Sequence, residues 1–202
     1  GPRRAGASCH LLESTGRCRR YLSDMLEEAP GLAQVADEMV ELPDLGRELR
    51  DSFDERGEVS NGASGELLHL RQRVAGFHDQ LKEKVSGLVS NPEYEGMLQD
   101  EYYTIREDRY VIPIRSGHKN HVDGIVHGWS GSGATVYIEP QAVVEANNRL
   151  LFAKTEVDRE IRRILTRLSR RAGDNSMEII QNMEQLAILD FSWAAGRFSK
   201  EL

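Results

Sequence analysis

Cysteine is scarce in this sequence of 202 residues: there are two, Cys9 and Cys18, with no further pair to join them. That excludes a disulfide framework and a zinc knuckle, and it suits reduced thiols in a cytoplasmic protein. No run of about eighteen apolar residues occurs, so no segment reads as a membrane span, and the N-terminus lacks the apolar core of a secretion signal. There is no G-x-x-x-x-G-K-[ST] phosphate loop, and no Ser or Cys stands beside a His in a nucleophile elbow. Neither ATP hydrolysis nor nuclease chemistry is expected from this stretch of chain. Six histidines are present, yet His10, His69 and His78 are scattered, while His118, His121 and His127 lack a nearby Cys or a defined carboxylate ligand. No metal site is expected. Internal repeats and low-complexity tracts are also missing.

What the sequence does have is charge. Charged residues make up 29% and hydrophobic residues 39%, a balance that suits long amphipathic helices better than a compact sphere. The net charge of −7 argues against a protein that coats nucleic acid indiscriminately, so any basic surface must be local. Gly1-Pro2 has the form of a tag-cleavage remnant, and the sequence reads as an excised stretch.

Apolar spacing organises the chain into three stretches. Over residues 1–100, helical patterns run from Ser8 to Glu28, ending before Pro30, then from Leu32 to Leu42 and from Leu45 to Phe53. A turn follows at Asp54 to Ser64, with room for a tiny strand at Glu58-Val59. A long helix comes next, its apolar face carried by Leu67, Leu70, Val74, Phe77, Leu81, Val85 and Leu88 and broken at Asn91-Pro92. Over 101–140 the period changes. β-Formers in short runs predict antiparallel strands at Tyr103 to Arg106, Arg109 to Arg115, Val122 to Trp129 and Ala134 to Glu139, with turns at Glu107-Asp108, Ser116 to Asn120 and Ser130 to Gly133. Over 141–202 the helical period resumes through Val143, Leu150, Val157, Ile161, Ile164, Leu165 and Leu168. The composition Gly173 to Ser176 predicts a stop and a restart with Ser176 as N-cap, and Met177, Ile180, Met183, Leu186, Ile188, Leu189 and Trp193 predict a returning helix. The fold class is mainly α with a small antiparallel β insertion carried between long antiparallel helices. Because each helical stretch has an apolar face of its own, the helices are expected to fold without Tyr102 to Glu139.

Two groups of cations stand out. Arg106, Arg109, Arg115 and Lys119 fall in and around the strands, with His118 and His121 in the same loop. They can hold phosphates, each contact releasing condensed counterions, or they can be solvated charges offset by Glu107, Asp108 and Asp123. In the helix that follows, Arg159, Arg163 and Arg167 recur at helical spacing on one flank, which fits either a nucleic-acid channel or a salt-bridged solvent face. Trp129, at the edge of a Gly/Ser-rich hairpin tip, can stack on a base or fold back over the sheet, and the amphipathic ring favours the second. Ser130-Gly131-Ser132-Gly133 can form an anion nest or a plain turn.

The stretch Tyr103 to Leu150 contains TIREDRYVIPI, then GIVH, then SGSGATVYIEP, then VVEANN, in that order. These blocks resemble the signature of the bacterial MutS-two paralogue family, and DERGEVSNGASGE at Asp54 to Glu66 is similar to that family's turn before its long helix. Two departures are Trp129, where relatives usually carry a polar residue, and Asn61, where they usually carry an acidic one. The resemblance implies core and lever helices over 1–100, a clamp over 101–140, and lever helices over 141–202 leading towards an ATPase domain beyond Leu202, which would hold ATP and Mg. It further implies branched or duplex DNA as partner in repair and control of recombination, homodimers, possible nuclease activity in the full-length protein and, in some members, rescue of collided ribosomes. Within that frame this chain grips DNA by its backbone; the alternative is an arm that docks on a ribosome or a partner subunit.

Overall fold

Prolines open three helices in the N-terminal third of the chain, at positions where the missing N–H costs nothing and the fixed φ is already helical. These are α1 (Pro2–Ser23), α2 (Pro30–Asp37) and α3 (Pro43–Ser52). The structure, a computed structural model, describes residues 2–25 and 27–201, with side chains for 11–25 and 27–199. Gly1, Leu26 and the side chains of Cys9 and His10 lie outside the described residues. The chain divides into two compact units, one made of Gly1–Gly65 with Ile161–Leu202 and the other of Glu66–Glu160.

In the first unit α1 packs on α2 and α3 and is joined by α6 (Ser176–Glu201). Leu12, Ala33, Ala36, Met39, Leu45, Leu49, Ile164 and Leu168 are buried. After α3 the chain reverses in a small turn, Phe53 bridging Val59 as expected for a minimal strand. The Asp54 carboxylate accepts from the backbone N–H of Arg56 at 2.9 Å and of Glu58 at 2.8 Å. Gly57 takes φ +79, a left-handed conformation that explains glycine at this place.

The second unit is built on α4 (Gly65–Val89) and the first part of α5 (Gln141–Asp174), with a sheet between them in sequence. Its strands are β1 (Thr104–Arg106), β2 (Arg109–Arg115), β3 (Gly124–Trp129) and β4 (Thr135–Pro140), antiparallel in the order β1-β2-β4-β3. All four match the sequence reading to within two residues at their ends. Glu107 and Asp108 both take positive φ, +48 and +62, the two-residue turn whose twist suits a hairpin. Beyond β1, residues 97–99 continue the ladder, Gln99 N–H donating to Pro113 C=O and Arg115 N–H to Met97 C=O, both at 2.9 Å. At the other edge a Cβ on Gly124 would lie 2.2 Å from the Glu139 carbonyl oxygen, so β3 and β4 approach this closely only with glycine there.

The sheet is part of the core. Tyr110, Ile112, Ile114, Val136 and Ile138 form one buried cluster with Leu81 and Val85 of α4 and Val143 and Leu150 of α5. Helices that bury their apolar faces against strands do not keep them covered once the strands are gone, so without Tyr102 to Glu139 α4 and the first part of α5 would lose cover, contrary to the expectation that each helical stretch keeps an apolar face of its own. An Arg73–Glu156 ion pair at 3.2 Å links α4 to α5 farther along, which fits two antiparallel arms.

The stop and restart expected at Gly173 to Ser176 falls at Asn175, between α5 and α6. Only Asn175 separates α5 from α6, no positive φ occurs there, and Ile179 N–H already donates to Asn175 C=O at 3.1 Å. Glycine inside a helix costs about 1 kcal/mol, too little to stop one that is held elsewhere. Nor does α6 bury the apolar line read from its sequence: Met177 is 77% and Trp193 70% exposed, with Ile180, Met183 and Ile188 also exposed. Its inward side is polar instead. Asn182, fully buried, accepts from Val40 N–H and donates to Val40 C=O, both at 2.8 Å, and Gln185 donates to Glu38 at 2.8 Å. Among the described residues no helix is long and apolar enough to cross a membrane.

Candidate nucleic-acid interface

A carboxylate stripped of water demands donors, and Glu139 on β4, with no exposed surface, has three. Arg109 Nη1 donates to Oε1 at 3.0 Å, Asn147 Nδ2 donates to Oε1 at 2.8 Å, and His127 Nε2 lies 2.6 Å from Oε2. Asn147 belongs to α5, and its amide also accepts from Tyr110 N–H at 2.9 Å and donates to Tyr110 C=O at 3.1 Å. It thus serves the β2 backbone as a further strand would. Arg109 comes from β2, His127 from β3 and Glu139 from β4, so three strands and a helix are tied at one buried point. Beside it Tyr110 Oη lies 2.6 Å from His78 Nε2, and burial raises the phenol above its usual value of 10.0.

Sequence reasoning placed Arg109 among the candidate phosphate contacts and left Glu139, Asn147 and Tyr110 unassigned. The side chain of Arg109 is only 20% exposed and is engaged with Glu139. The anticipated offset by neighbouring acids takes another form too, since Asp108 pairs with Lys154 at 2.8 Å, a hydrogen bond and charge that lower its carboxyl below the ordinary 3.8. The signal for the missed residues was in the signature itself: RYVIP holds Arg109 and Tyr110, GIVH holds His127, YIEP holds Glu139, and VVEANN holds Asn147.

Arg106, on β1, is exposed and lies over the Tyr137 ring at 4.3 Å from its centroid. The remaining sheet candidates converge at the opposite end of β2. Arg115 closes that strand and leads into a 3-10 stretch, Ser116–His121, in place of an open loop. Ser116 N–H donates to Ala134 C=O at 3.0 Å, tying the stretch to the hairpin between β3 and β4. The His118 and His121 rings are 5.6 Å apart, and Lys119 Nζ lies 5.4 Å from the centre of the Trp129 ring. Lys119 and Trp129 are therefore neighbours, as are His118 and His121, on or beside the stretch that Arg115 opens. Arg115 and Lys119 are exposed and make no ion pair among the described residues. Trp129 is 50% exposed, so half of its surface stays open to solvent.

The cationic flank of α5 is heterogeneous. Arg159, exposed, belongs to the second unit, whereas Arg163 and Arg167 belong to the first. Arg167 pairs with Glu48 at 3.2 Å and donates to Ala63 C=O at 3.4 Å, and Arg171 pairs with the same carboxylate. There the salt-bridged reading describes Arg167.

No family model matches the chain. Curated relatives do. The chain is 41% identical over 184 residues to "Endonuclease MutS2" of Pelotomaculum thermopropionicum, covering 91% of this chain and 23% of that protein. It is 35% identical over 195 residues to the protein of the same name from Bacillus velezensis (95% and 25%), and 34% identical over 191 residues to that from Aquifex aeolicus (95% and 25%). It spans about a quarter of the length of these relatives. With the signature blocks folded into a single lock of strands and helix, and with this identity over nine-tenths of its residues, the chain belongs to the MutS2 family.

Proposed function

We propose that this chain is the lever-and-clamp segment of a MutS2 protein, a non-enzymatic module that grips DNA, branched or duplex, by its backbone. The observation that supports the reading is one short stretch carrying Arg115, His118, Lys119 and His121, with Lys119 beside Trp129 and with Arg115 and Lys119 free of acidic partners among the described residues. Phosphate contacts ask only for reach and charge, and a chain of net charge −7 confines them to such a patch. In the longer protein we assign ATP and Mg to residues outside this chain, which has no phosphate loop. There the levers would carry nucleotide state to the clamp in a homodimer acting in repair and recombination.

The test is fluorescence anisotropy with duplex and branched DNA across a salt series. Arg115→Ala with Lys119→Ala is expected to weaken binding similarly for unrelated sequences and to flatten the salt slope by roughly one unit per lost contact. Unchanged affinity and slope would favour the second reading, an arm that docks on a ribosome or a partner subunit. The exposed apolar Ile125 and Trp129 on edge strand β3 support that alternative.

A further inference from the structure

A patch that held only phosphates would have no use for a large ring, yet Trp129 is presented to solvent on a braced support. Its strand is irregular just before it: the β3–β4 register shifts between Val126 and Trp129, and Gly128 takes φ +133. Such a bulge re-aims the residue that follows. The loop beyond is pinned. Ser130 N–H donates to Thr135 C=O at 2.9 Å, Thr135 N–H to Ser130 Oγ at 3.1 Å, and Gly133 N–H to Ser130 C=O at 2.9 Å. A ring mounted this way loses little freedom when something settles on it.

The neighbours of the ring define what can settle there. Lys119 Nζ lies over the ring, 5.4 Å from its centre, and the 3-10 stretch that carries this lysine follows directly on Arg115 and also holds His118 and His121. An aromatic face next to a cation is the combination that takes up unpaired nucleotides, the base stacking on the ring and its phosphate meeting the cation. In an intact duplex both faces of each base are already covered by neighbouring pairs, so an indole gains nothing from it. We infer that Trp129 and Lys119 form a nucleobase-stacking site, and that through it the clamp favours unpaired nucleotides over fully paired DNA. This rests on the nucleic-acid reading above. It adds a ligand class that backbone gripping does not supply.

The experiment uses the whole chain carrying Trp193→Phe, so that Trp129 is the single remaining indole of the two in the sequence. The probes are a short oligothymidylate and a blunt duplex of equal length. The single strand is expected to quench the indole. Trp129→Ala should lower single-strand affinity about 5- to 150-fold, the range for loss of one stacked base, and change duplex affinity less than about twofold, the duplex being held by backbone contacts. Trp129→Phe, which keeps an aromatic face and controls for folding, should recover part of the loss. Equal losses on both probes, or single-strand binding without quenching, would overturn the stacking site while leaving backbone gripping in place. Binding of neither probe would overturn both, and would point to the ring as an anchor for a protein partner.

Discussion

Removing the guanidinium of Arg109 leaves Glu139 as a carboxylate with no exposed surface and no arginine beside it. Breaking a buried pair from one side costs about 3–5 kcal/mol, mostly the penalty of the charge left behind. Two features reduce that figure: His127 and Asn147 stay within hydrogen-bonding distance of Glu139, and the Arg109 side chain is itself 20% exposed. We therefore expect Arg109→Ala to destabilise the second unit by about 2–3 kcal/mol. Glu139→Gln keeps an acceptor for Arg109 and leaves its charge on a side chain that still reaches solvent, so its cost should be smaller, about 1–2 kcal/mol. The double variant should cost clearly less than the sum of the singles, because once the carboxylate is gone the arginine has less to neutralise. The assay is urea unfolding in the Trp193→Phe background, where Trp129 reports on the unit that contains it. A cost for Arg109→Ala below about 0.5 kcal/mol, the level of an ordinary surface change, would refute the argument. So would strict additivity of the two singles.

Gly124→Ala should lower stability by about 2 kcal/mol or more, because the atom its methyl would meet is the Glu139 carbonyl oxygen in the backbone, which cannot swing aside; thermal melting checks this, and an unchanged melting temperature would contradict it. Asn182→Ala strips both partners from the Val40 backbone, at about 1–3 kcal/mol, and should appear as faster hydrogen exchange at the Val40 amide. Lys154→Met should let the Asp108 carboxyl titrate closer to the ordinary 3.8, since the lysine causes the depression. A depressed carboxyl contributes stability above its unfolded value and loses it as pH falls through the folded one, so the variant should also flatten the acid limb slightly. An NMR titration of Asp108 with the same midpoint in both proteins would count against the pairing.

The strands were legible because Val, Ile and Tyr in short runs between polar turns leave few other choices, and the Glu107-Asp108 turn followed from the same pattern. The helix α4 was legible for the opposite reason, its apolar residues stepping by three and four over about six turns of regular spacing. What could not be read was which side of α6 turns inward. Met177, Ile180 and Met183 have the right period, but burial depends on what packs there, and Asn182 and Gln185 meet backbone and acid from the α2 end instead. The tip patch was half legible: charge and proximity in sequence brought Arg115 to His121 together, whereas the place of Trp129 beside Lys119 depends on a bulge and a cross-strand register. Glu139 was not legible as a buried group, since an acid in a short strand ordinarily faces water. Only the arrival of Arg109, His127 and Asn147 from three other elements makes its burial tolerable.

The lock around Glu139 has a consequence for how such proteins are told apart. Its members sit in the very blocks by which the chain is recognised, and they are occupied with one another, inside. Arg115, Lys119 and Trp129 lie outside those blocks. A search keyed to RYVIP, GIVH, YIEP and NN therefore finds the scaffold and passes over the residues we propose as the ligand contacts, so equal scores by signature do not imply equal ligands.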